Sequence, residues 1–192
     1  MTNRTQDYKK MILSVDPGIN NCGLSILDFD KQFEVKETFL VKNARKFTDE
    51  EKIIESKFGN RTVKVLAILN KIKEILDIYP IDYVVIEAPF YNALTPIAYS
   101  SLLEVIVSIR YEILIKRDIK SKMVEPLLVK KLFTQQAMAS KEVIKQFLFK
   151  KKESGEIIIN KSIEELSEHE IDSIAIGFVH YLSVLEEKME SC

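Results

Sequence analysis

Two apolar runs, Met11 to Val15 and Leu24 to Leu27, stand on either side of a short stretch that opens Asp16-Pro17-Gly18, and this leaves the chain few ways to begin folding. An apolar run that ends in a carboxylate, turns through Pro and Gly and resumes predicts two paired strands, over 11–16 and 23–29. Asp16 then stands where buried strand meets solvent. Gly18 and Gly23 permit positive φ and a close approach of backbone to a ligand. Taken alone, the stretch fits a plain hairpin turn as well as a metal or phosphate site, because turn chemistry favours the same residues.

The remaining elements follow from periodicity. Residues 1 to 10 are polar and predict an N-terminal arm, with one domain over 11–189, a length suited to a single core. Asp28, Asp30 and Lys31 mark a turn, and Phe33 to Val41 partly alternates, predicting a third strand and an antiparallel meander. Residues 42–60 are polar and predict a connection or helix entry. Apolar residues at three- and four-residue spacing from Val63 to Ile78 predict an amphipathic helix stopped by Pro80. Tyr83 to Ile86 reads as a strand buried on both faces, and it ends in a second carboxylate, Glu87. If it neighbours the first strand, Glu87 meets Asp16 at one edge of the sheet.

Thr95-Pro96 opens a helical segment to about Lys116 whose apolar residues cover more than one face, fitting either a homodimer interface or a thick core. A short strand over 119–124 and a helix from Pro126 to Phe133 follow. Ser140 is the expected N-cap of a basic helix over 141–152, and residues 150–155 read as a loop. The last helix spans 167–189. On it His169 and Asp172, three residues apart, share a face, and Ile171, Ile174, Ala175, Phe178 and Val179 form the apolar stripe. The expected fold class is α/β, a mixed central sheet of meander plus parallel strands flanked by helices.

Charge is unevenly placed. Residues 113–152 carry eleven Lys or Arg against three acids, while residues 153–192 carry two against ten. A basic block beside an acidic one fits a protein that grips a polyanion on one surface and holds cations on another, as well as two solvated helix faces. The apolar run around Leu94 to Ile115 is interrupted by Glu104, Arg110 and Glu112, against a membrane span. With a polar start and only Cys22 and Cys192 as cysteines, a reducing, cytoplasmic location is expected.

Taken together, Asp16-Pro17-Gly18 followed by Gly23, a glutamate ending a later buried strand, and His169-x-x-Asp172-Ser-Ile-Ala-Ile on the final helix resemble the RuvC family of Holliday junction resolvases, of RNase H-like fold. The resemblance covers about residues 11 to 181 in the right order. It implies four residues holding two divalent metal ions, Mg²⁺ or Mn²⁺: Asp16, Glu87, His169 and Asp172. The family's first position on the final helix is Asp in some members and His in others. Phe90 resembles the aromatic that stacks on unpaired bases at the junction centre. Lys130, with Lys131 as its rival, and Lys141 resemble the paired catalytic and phosphate-binding lysines. The same resemblance implies a homodimer built on the long helix after Glu87 and branched DNA as substrate.

The chemistry of phosphodiester hydrolysis agrees, since two metals supply an activated water and relieve charge on the phosphate. Hard oxygen ligands suit Mg²⁺ or Mn²⁺, and an added imidazole is compatible with Mn²⁺. His169 either ligates a metal or positions the water. Lys116, Arg117, Lys120, Lys122, Lys130, Lys131, Lys141 and Lys145 are the expected phosphate track, with salt-sensitive binding. Glu170, about 100° around the helix from His169, is expected to be a bystander or an outer contact. Rival readings are other nucleases of this fold, YqgF-type or RNA-cleaving, and a non-cleaving dimer that binds branched DNA. Actin-like ATPases and sugar kinases also open with Asp-x-Gly but need clustered glycines, and the five here are scattered. Nothing in the sequence identifies a branch-migration helicase as partner.

Overall fold

The computed structural model describes residues 11–30, 32–91, 93–94 and 96–190. The expected arm over 1–10, Lys31 of the expected turn, and Thr95 at the expected helix start lie outside them. Strands β1 (Met11–Asp16), β2 (Asn21–Asp28) and β3 (Phe33–Lys42) form the antiparallel meander. On the other side of β1 lie β4 (Tyr83–Glu87) and then β5 (Lys120–Val124), both parallel to it in direction. A short β6 (Ile157–Ile159), which the sequence reading lacks, pairs in parallel with the start of β3. The sheet order is therefore β5-β4-β1-β2-β3-β6.

Strand alternation divides the core into two layers. Leu13, Val15, Leu24, Ile26, Val84 and Ile86 face the helices α2 (Asn60–Ile78) and α3 (Pro96–Arg110). Ile12, Leu27 and Val85 face α4 (Pro126–Thr134), α5 (Lys141–Glu153) and α6 (Glu168–Glu190). Asp16 follows Ile12 and Ser14 in the alternation, and Glu87 follows Val85. Both carboxylates therefore belong to the face covered by α6.

Local chemistry explains where reading by periodicity falls short. Helix α1 (Asp49–Phe58) occupies the polar connection and buries none of its residues, so it has no apolar stripe to detect. Its signal is a capping box: Thr48 Oγ1 accepts from the Glu51 amide, and the Glu51 carboxylate accepts from the Thr48 amide. Gly59, at φ 87°, separates α1 from α2. The loop expected over 150–155 is a correction: α5 runs through Lys150 to Glu153, and the chain turns only at Ser154 and Gly155, the latter at φ 77°. Lysines are good helix formers, so a lysine run does not by itself end a helix. The last turn of the long segment, Tyr111–Lys116, is a π-helix. No described helix is long and apolar enough to cross a membrane.

Helix α6 comes unusually close to the sheet. A Cβ placed on Gly23 would lie 1.9 Å from the His169 carbonyl oxygen, and one on Gly177 would lie 2.0 Å from Leu27 Cδ1. The first contact sets the height of the start of α6 above β2. Gly23→Ala is expected to cost about 2–3 kcal/mol, since neither backbone segment can yield locally. Urea denaturation measures this; a loss under about 0.5 kcal/mol would mean that α6 is not seated on β2 as described.

Candidate active site

Asp16 is the last residue of β1 and Glu87 the last of the neighbouring β4. Parallel pairing of Val15 with Ile86 brings these two strand ends side by side. His169 and Asp172 descend on them from the first turns of α6. His169 Nδ1 lies 2.6 Å from Asp16 Oδ2, and the ligand atoms of Asp16, His169 and Asp172 all lie within 4.8 Å of one another. Glu87 stands just outside this tight group, yet it feels the charges of both Asp16 and Asp172.

The electrostatics are those of crowded anions. Burial, then the charges of Asp16 and Asp172, push Glu87 up to about 8, against the pull of Lys130 and Lys141. Burial and Asp16 push Asp172 up to about 6, opposed by Lys141 and His169. The hydrogen bond with Asp16 raises His169 against its burial. Glu87 and Asp172 thus resist ionisation, which is the condition that a bound cation relieves.

The start of α6 is clamped by polar contacts that the sequence reading assigned no role. Glu170, expected to be a bystander or an outer contact, is neither exposed nor in the cluster. Its carboxylate accepts from the Ser167 amide at 2.9 Å and hydroxyl at 2.8 Å, from Thr38 Oγ1 at 2.7 Å, and pairs with Lys161 at 3.3 Å. It thus caps α6 and ties it to β3. Ser173 adds a second tie, with its hydroxyl 2.5 Å from that of Ser25 on β2. Ser-x-x-Glu at 167–170 was a legible capping signal; the tertiary partners Thr38 and Ser25 had none.

The proposed DNA-contacting residues divide into two groups. Lys130 on α4 and Lys141 at the start of α5 both act on the Glu87 carboxylate, and Lys141 Nζ lies 3.9 Å from Asp172 Oδ2. Lys131 is exposed, and of the two adjacent lysines it is the half-buried Lys130 whose charge acts on Glu87. Lys145, one turn along α5, acts on Glu164. Phe90, just past Glu87, is 63% exposed.

The other four lie elsewhere. Lys120 pairs with Tyr83, at the end of β4 opposite Glu87 and about 13 Å away along the strand. Lys122 lies midway along the same edge strand, beside Val85. Lys116 ends the π-helical turn and Arg117 follows it; they pair with buried Glu112 at 3.3 and 3.5 Å, and Arg117 also meets Asp77 at 2.7 Å. Their nearness in sequence to Lys130 reflects chain order, since β5 carries the chain from Lys120, beside Tyr83, to Val124, beside Glu87, before α4 begins.

The sequence matches no protein-family model and no curated protein. The fold, however, is similar to solved structures. Thermus thermophilus RuvC in complex with a Holliday junction substrate aligns with a TM-score of 0.63 at 17% identity, covering 90% of this chain and 93% of that one. A second Thermus thermophilus RuvC structure gives a TM-score of 0.63 at 16% identity, covering 92% and 96%. The yeast mitochondrial Holliday junction resolvase Ydc2 gives 0.62 at 12% identity, covering 94% and 84%. With its mixed six-stranded sheet and covering helices, this chain therefore has the RNase H-like fold of the RuvC resolvases.

Proposed function

We propose that this protein is a metal-dependent endonuclease that resolves four-way DNA junctions as a homodimer. The observation that carries the reading is the convergence of Asp16, His169 and Asp172 within 4.8 Å, with Glu87 beside them, in a RuvC-like fold. Three carboxylates and one imidazole suit Mg²⁺ or Mn²⁺, and the raised Glu87 and Asp172 mark a site that favours a cation. Asp16, Glu87, His169 and Asp172 would hold the two ions. Bound divalent metal supplies an activated water and charge neutralisation on the scissile phosphate. Lys130 and Lys141 bring positive charge to the same point from two other helices, where phosphate oxygens and the developing charge need it.

DNA would approach across α4 and α5, with Lys131 and Lys145 extending the positive surface and Phe90 projecting beside the cluster. Such contacts position the backbone rather than read sequence. Support for the dimer comes from α3. Ile97, Val107 and Ile115, exposed at 72%, 61% and 71%, lie with Tyr111 on the outer side of the α3 helix and its π-helical end, with Ser100 and Glu104 between Ile97 and Val107. Large exposed apolar side chains on a helix already packed on its other side suit a second copy of the chain.

The test is cleavage of a synthetic four-way junction beside matched linear duplex, single-stranded and RNA-containing DNA, with Mg²⁺ or Mn²⁺. Paired symmetric nicks confined to the junction are expected, with affinity that falls steeply with salt. Tight junction binding without nicks under either metal would instead identify a binding module. Cleavage of the linear or RNA-containing strands would move the protein to another branch of the same fold.

A further inference from the structure

The first turns of α5 and α6 meet through an ion pair that lies outside the metal cluster. Lys141 occupies the first position of α5, after the N-cap Ser140, whose hydroxyl accepts from the Val143 amide. A cation there faces the positive end of the helix dipole, so local electrostatics oppose it. Lys141 Nζ is instead held from α6: it donates to Glu168 Oε2 at 2.7 Å and lies 3.9 Å from Asp172 Oδ2. Glu168 and Asp172 are four residues apart on α6 and present their carboxylates on one face. The ammonium bridges the outer carboxylate and the inner one.

The two carboxylates differ in what a bound cation does to them. Asp172 belongs to the close group with Asp16 and His169, whereas Glu168 does not. A divalent cation held by Asp172 would cancel that carboxylate's attraction for Lys141 and add repulsion of its own. Glu168 is then the anchor that remains. Without it the long lysine side chain regains its rotamer freedom and leaves the rim.

We propose that Glu168 is a positioning residue that keeps the Lys141 ammonium at the rim of the Asp16–His169–Asp172 cluster when metal is bound, where it meets a non-bridging oxygen of the substrate phosphate. The proposal rests on the resolvase reading for its substrate; the ion pair itself is independent of it.

Two measurements on the full chain test it. Single-turnover junction cleavage with Mg²⁺ compares wild type, Glu168→Gln, Lys141→Met and the double variant, with junction affinity measured alongside. Glu168→Gln is expected to cleave about threefold to tenfold more slowly, with affinity unchanged or tighter because a negative charge near the DNA is gone. In the Lys141→Met background the same change should cost nothing further, and Glu168→Asp should restore part of the rate. An equal cost in both backgrounds would overturn the proposal.

The second measurement needs no cleavage: acetylation of Lys141 by an amine-reactive reagent, read by mass spectrometry with Mg²⁺ present and Lys131 as internal reference. Glu168→Gln is expected to raise Lys141 labelling about threefold, the scale of an exposed ion pair. Equal labelling in both proteins would overturn the proposal even if wild type cleaves. Absence of wild-type cleavage with the labelling difference intact would overturn the resolvase reading and leave the anchor standing.

Discussion

Asp16→Asn is expected to bind a four-way junction as tightly as wild type and to cleave it about a thousandfold more slowly or worse. The reasoning starts from place. Asp16 ends the central strand of the site, hydrogen-bonds His169 at 2.6 Å, and contributes to the shifts of both Glu87 and Asp172, so it acts on every other member of the group. Asparagine keeps the size and can still accept from a protonated His169 Nδ1, so the strand, the turn and the seat of α6 should survive. What goes is the negative charge that a cation requires. Binding should persist or improve, because DNA loses a repelling carboxylate while Lys130, Lys131, Lys141 and Lys145 remain. Gel-shift affinity beside single-turnover cleavage reads both; a variant within tenfold of wild-type cleavage would remove Asp16 from the proposed mechanism.

Glu87→Gln is expected to stabilise the metal-free protein while abolishing its response to metal. Glu87 is raised to about 8, above the ordinary carboxylate value of 4.5. Below pH 4.5 it is protonated whether the chain is folded or not. Between that pH and 8 the unfolded chain releases the proton and the folded chain retains it, so the metal-free fold loses stability as pH rises through this window. Glutamine stays neutral throughout. The variant should nearly match wild type near pH 4.5 and exceed it by about 4–5 kcal/mol at pH 8.5. Mg²⁺ or Mn²⁺ should then close much of that gap, adding about 2.7 kcal/mol to wild type at a hundredfold excess over Kd and little to the variant. Thermal melts at pH 4.5 and 8.5, with metal or chelator, provide the four comparisons. A variant less stable than wild type at pH 8.5 in chelator would show that Glu87 is held by contacts rather than crowded by charge.

The two results bear on one trade. Burial under α6 makes Glu87 and Asp172 costly to keep charged, and the fold retains that cost where a cation would relieve it. Gly23 shows how the burial is achieved. Only a residue without Cβ lets the His169 backbone come down on β2, and that approach encloses the carboxylates.

How much was legible depended on whether a feature is written in neighbours along the chain. The meander, Glu87 at a strand end, and His169 and Asp172 on one helical face follow from periods of two and 3.6 residues and from Pro and Gly as punctuation. So the elements, their order and the candidate ligands could be read from residues 11–29, 83–87 and 169–180. Helix α1 escaped because it buries nothing, and β6 because three residues are too few to show a pattern.

What the chain order could not convey is which charges share a place. Lys116, Arg117, Lys120, Lys122 and Lys130 look like one basic block, yet β5 carries Lys120 and Lys122 and separates Lys116 and Arg117 from Lys130, and a strand moves the chain about 3.3 Å per residue along the sheet. Lys130 thereby reaches Glu87, while Lys116 and Arg117 neutralise the buried Glu112. The capping of α6 by Glu170 shows the same division. Its Ser167 partner is three residues away and was readable, whereas Thr38 and Lys161 arrive from β3 and the loop after β6. By itself the sequence determined the secondary elements and the kinds of group available for chemistry, because those depend on local periodicity and side-chain identity. The tertiary structure alone decided that Asp16, His169 and Asp172 meet within one cation's reach and that only some of the lysines attend them, because electrostatics acts through distance in space and not along the chain.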